Sequence, residues 1–111
     1  MQLPLQVTIR DIDPSPALEA RIREKAAKLE AFHPRITSCR VVVEQEGRHR
    51  NHGRAITVRV DVRVPDHEIV VTRDHDEDAY VAVRDAFEDA GRQLQELARR
   101  TRGEVKTRAE R

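Results

Sequence analysis

The chain has 111 residues, enough for one domain and a short tail. Its 21 Lys and Arg nearly cancel 20 Asp and Glu, and a net charge of +1 gives no immediate reason to expect nucleic acid. The longest apolar run, Ala79 to Val83, is too short for a transmembrane helix or a signal-peptide core, and the single cysteine, Cys39, excludes an internal disulfide.

In chain order, Leu3, Leu5, Val7 and Ile9 alternate with Pro4, Gln6, Thr8 and Arg10, the pattern of a half-buried strand with Pro4 at its start or on an edge. Asp13-Pro14-Ser15-Pro16 breaks the pattern. Ser15 is placed to cap a helix whose first position suits Pro16. Leu18, Ile22, Ala26, Leu29 and Phe32 then recur at spacings of four and three, giving one apolar stripe. His33-Pro34 ends the helix, because the residue before proline is driven out of the helical region.

A second strand is expected over Cys39 to Glu44 and a polar loop over Gln45 to Gly53. The third strand, Ala55 to Val64, is the clearest, with Ile56, Val58, Val60, Val62 and Val64 alternating against Thr57, Arg59, Asp61 and Arg63. Pro65-Asp66 makes a turn into a short fourth strand, Glu68 to Thr72. Asp74 to Asp78 reads as an acidic loop and helix start. The last helix spans about Glu77 to Arg100, carries Val83, Phe87, Ala90, Leu94 and Leu97 as its stripe, and is expected to stop at Gly103. The order β-α-β-β-β-α predicts an α+β fold, a four-stranded sheet with two helices packed on one face and the other face in water. Residues 1–102 form the domain and 103–111 a basic tail.

The charges are not evenly spread. Residues 1–40 carry seven basic and five acidic groups, residues 41–78 six and nine, and residues 79–111 eight and six. On the first helix Arg21, Lys25 and Lys28 are spaced four and three apart and line one face beside the apolar stripe. On the second, Arg92 and Arg99 share a solvent face, with Arg100 and Arg102 at its end. Side-by-side helices would join these sets into one surface able to hold phosphates without reading bases. The only aromatics are Phe32, Tyr80 and Phe87, which excludes a sheet platform of stacking rings.

Other chemistry is poorly supported. His49 and His52, with Arg48 and Arg50, lie in a loop whose spacing matches no strong zinc pattern. Asp74, Asp76 and Asp78 fall at the first, third and fifth places of a calcium loop, but Ala79 replaces its glycine and Asp85 its glutamate. No nucleophile motif or phosphate loop is present, and Cys39 reads as a small core residue.

The segments Ala17 to Phe32, Arg35-Ile36, Asp78 to Phe87 and Arg92-Gln93-Leu94 resemble the ribosome hibernation-promoting factors, also called ribosome-associated inhibitors or sigma-54 modulation proteins. The resemblance runs from Leu3 to about Arg102, and is to short members without an extra C-terminal domain. It implies a cytoplasmic protein with no cofactor and no catalysis, which binds the small ribosomal subunit at its 16S rRNA. Such a protein fills the mRNA and tRNA channel and silences idle ribosomes under stress. Lys25 and Lys28 match the lysine pair of the family's first helix, and Arg92 the arginine before Gln-Leu in the second. Tyr80 matches the aromatic near that helix's start and is expected in the core with a wet hydroxyl edge. Asp89 and Glu96 stand where members often carry lysine.

The expected RNA contacts are therefore Arg21, Lys25, Lys28, Arg92, Arg99, Arg100 and Arg102, with no metal, membrane or small-molecule substrate. Two alternatives stay open. One is a stress-related protein–protein interaction module on the open sheet face, and the other is a general binder of double-stranded RNA.

Overall fold

Alternation in the strands decides which face of the sheet is dry. The computed structural model describes residues 4–13, 15–46, 55–76 and 78–109. Its elements are β1 (Leu5–Arg10), α1 (Pro16–Phe32), β2 (Ser38–Glu46), β3 (Ala55–Val64), β4 (His67–Asp76) and α2 (Ala79–Ala109). The strands form one sheet in the order β1-β2-β3-β4. β1 runs parallel to β2, and the other two pairs are antiparallel. Register sets Val7 beside Val41, Val41 beside Val60, and Val60 beside Val71. Every second residue of each strand therefore meets the same apolar layer.

Both helices cover that layer. Leu18, Ile22, Ala26 and Leu29 of α1 and Ala82, Val83, Ala86, Phe87, Ala90 and Leu94 of α2 join the strand residues in one buried cluster. Ser15 caps α1 as expected, its Oγ accepting from the Leu18 N–H at 3.1 Å, with Pro16 in the first turn. Asp78 does the same for α2, its Oδ1 accepting from Tyr80 N–H at 3.0 Å and Val81 N–H at 3.2 Å. The tight turn into β4 places Asp66 at φ 68°, a left-handed conformation that Asp tolerates better than most residues.

Three element boundaries and the burial of one residue differ from the sequence expectation. β2 continues to Glu46, so Gln45 and Glu46 belong to the strand and not to the loop. β4 is ten residues long and takes in Asp74 and Asp76, which removes them from any calcium-type loop. Its apolar alternation fades because Arg73 holds an inward position, where its guanidinium lies 3.6 Å from Asp89 of α2, yet the backbone ladder to β3 continues. α2 runs through Gly103 to Ala109. A helical glycine costs only about 1 kcal/mol relative to Ala, and the residues around it suit a helix. Finally, Phe32 is 79% exposed rather than part of the core. It stands three residues after Leu29, a step that lags a full turn by 60°, and it is the last residue of α1.

Candidate nucleic-acid interface

The two helices lie side by side and run the same way. Early in each, the Arg21 guanidinium sits 5.5 Å from the centroid of the Tyr80 ring. Further along, a Cβ on Gly91 would lie 3.6 Å from the Leu29 side chain. These two contacts orient both helices about their axes. Lys25, Lys28 and Phe32 share the flank of α1 marked by Arg21, the flank that faces α2. Tyr80 and Gly91 mark the flank of α2 that faces α1. Arg84 and Arg102, separated by five full turns, lie on that flank too.

The seven expected contacts therefore sort into three groups. Arg21, Lys25, Lys28 and Arg102 line the seam between the helices. Arg92 and Arg99 stand on the outer crest of α2, opposite its buried stripe. Arg100 does not join them: it lies eleven residues beyond Asp89, on the flank that meets Arg73 of β4. Sequence reading missed Arg84, which the eighteen-residue spacing to Arg102 could have found. It also missed Arg35, just past the end of α1.

Most of these cations are exposed, Lys25 being half-buried. Some carry acidic neighbours. Arg21 is 3.6 Å from Glu24, Arg84 is 3.1 Å from Asp85, and Arg92 is 3.0 Å from Asp89. Exposed pairs of this kind are worth about 0–1 kcal/mol, so a phosphate can displace the carboxylate. Lys25, Lys28, Arg99, Arg100 and Arg102 form no ion pair among the described residues. Tyr80 is 39% exposed with Arg21 over its ring, so it belongs to this surface and not to the core.

The opposite face of the sheet is mixed in charge. Arg10, Arg40 and Arg59 share a shallow cavity with Glu44 and Asp61, so cations and carboxylates are interleaved there and form no unbroken basic row. One Asp61 oxygen is buried there without a hydrogen-bond partner among the described residues.

Nothing described points to catalysis or a metal. Burial pushes the Cys39 thiol up to about 11, with the Asp61 carboxylate adding to the shift, so it stays protonated and unreactive at neutral pH. Partial burial lowers the pKa of His33 from its ordinary value and so disfavours a positive charge there. Among the described residues no three His, Cys, Asp or Glu side chains group as a metal site, and no helix is long and apolar enough to cross a membrane. The loop bearing His49 and His52 lies outside the described residues.

Comparison with known proteins agrees with this fold. A ribosomal subunit interface protein from Coxiella burnetii superposes with a TM-score of 0.72 at 21% identity, covering 86% of this chain and 98% of that one. The N-terminal domain of Thermus thermophilus Protein Y gives 0.69 at 18% identity, covering 87% and 99%. No curated relative matches significantly. Residues 5–102 match the family described as sigma 54 modulation protein / S30EA ribosomal protein, and the chain belongs to that ribosome-associated family.

Proposed function

We propose that this protein binds the small ribosomal subunit in the channel used by mRNA and tRNA, and holds idle ribosomes inactive by occupying it. The observation that carries this reading is the row of cations along the helix seam: Arg21, Lys25, Lys28, Arg84 and Arg102, with Arg92 and Arg99 on the adjoining crest. A row fixed by two parallel helices presents charges at regular intervals, which suits a phosphate backbone and needs no base reading. Family membership supplies the ribosome as the partner. The action is steric and takes place in the cytoplasm, with no bond made or broken.

Co-sedimentation with small ribosomal subunits across a salt series tests the reading. Seven phosphate contacts predict that the logarithm of the binding constant falls against the logarithm of salt with a slope of about −5 to −6. A nearly flat response would mean an apolar protein contact instead. Unrelated duplex RNA that competed as well as the subunit would reduce the protein to a general RNA binder.

A further inference from the structure

We propose that the groove at the far end of the helix seam receives one unstacked ribonucleotide of the ribosomal RNA, its base laid on Phe32 and its phosphate held by Arg35 and Arg102. The proposal rests on the reading that the seam docks on rRNA, and adds to it a single point of base contact. Phe32 lies four residues after Lys28, so Arg21, Lys25, Lys28 and Phe32 follow one another along the same flank of α1. The seam is thus cationic for three positions and aromatic at the fourth.

Beside Phe32 opens a cavity of about 410 Å³, lined in part by Leu97 and Ala98 of α2. That volume lies within the range of small-ligand sites and has room for a base with its ribose. Arg35 and Arg102 also line it, against Asp66 as the one acidic residue among the described residues. The groove is therefore an apolar floor with a net positive lining, continuous with a phosphate-binding row. A nucleotide matches all three features, since its base is a flat apolar face and its phosphate an anion. Stacking on a lone ring needs no sequence-specific hydrogen bonds, so the site takes any base that the RNA presents unpaired.

The chain contains no Trp, so Phe32→Trp installs a single indole reporter. Small ribosomal subunits are added to this variant, with the wild-type mixture subtracted as background. The expected result is normal pelleting with strong quenching of the indole by the stacked base. Phe32→Ala is expected to keep its melting temperature but bind about tenfold more weakly, the loss typical of one stacked base. The proposal is overturned if Phe32→Ala pellets like wild type. It is equally overturned if Phe32→Trp pellets with unquenched, blue-shifted emission, which would place an apolar protein segment in the groove. Wild type that failed to pellet at all would sink the ribosome reading and this proposal together, whereas normal wild-type pelleting with an indifferent Phe32→Ala sinks this proposal alone.

Discussion

Charge reversal at Lys25, Lys28 and Arg92 together is expected to abolish co-sedimentation with ribosomes and to leave the fold intact. Lys28 and Arg92 are exposed and Lys25 is half-buried, and none belongs to the buried cluster. Surface changes of this kind usually shift stability by no more than about 0.5 kcal/mol each. Reversal at Arg92 also sets two carboxylates together at i, i+3, a cost of a few tenths of a kcal/mol. Binding is affected far more. Hydrogen bonds to charged groups contribute about 1.5–3 kcal/mol apiece, so losing three weakens the complex by a thousandfold or more, before any repulsion from the new carboxylates. Reversal at Arg100 is the matched control, because that side chain points to the β4 flank. It is expected to cost much less. Full pelleting of the triple variant with the small subunit would show that the seam is not the interface.

Phe87→Ala is expected to produce the largest loss of stability. Phe87 is 5% exposed, and of the three aromatics it alone is buried. Truncating a buried Phe costs about 3–5 kcal/mol, through lost burial and the cavity left behind. Against the total of about 5–15 kcal/mol typical of a domain, that is a large share. For a domain of this size it lowers the melting temperature by roughly 10–25 °C. Calorimetry of this variant beside Phe32→Ala makes the comparison internal to one residue type. Equal melting temperatures for the two would contradict the burial described for Phe87.

Those two phenylalanines show what was legible in the sequence. Period-two alternation in β1 and β3, the helical stripes, and the shorter runs over Cys39–Glu44 and Glu68–Thr72 recovered all six elements, their order and the dry face of the sheet. Those signals arise from burial, and burial repeats. Phe32 fitted the spacing of its stripe yet fell outside the core. Spacing constrains rotation about the helix axis but not where the sheet beneath runs out. The length of β4 was hidden for a related reason: Arg73 answers Asp89 across the layer, a pairing between elements that no local pattern encodes. The cations of the seam were visible one helix at a time. Which of them share a surface depended on the rotation of α2, fixed by Arg21 on Tyr80 and Gly91 on Leu29. That rotation brought in Arg84 and set Arg100 apart. Gly103 misled because glycine permits a helix to end without requiring it.

The parallel pairing of β1 with β2 has a bearing on how the domain assembles and comes apart. β2, β3 and β4 are joined in sequence and pair antiparallel, so they can zip from their turns. β1 finds its partner only after the whole of α1 has been crossed, and pays a larger loop-closure entropy. Its apolar residues Leu5, Val7 and Ile9 are only partly buried, unlike the fully buried Val58, Val60 and Val62 of β3. β1 is therefore expected to act as a latch closed last and opened first, and hydrogen exchange should find its amides unprotected ahead of those in β3. Opening the latch bares the edge of β2, a row of free backbone donors and acceptors on which another chain could add a strand. Resistance to self-association under heat or denaturant then depends on the six residues Leu5–Arg10 more than on the well-packed centre of the sheet.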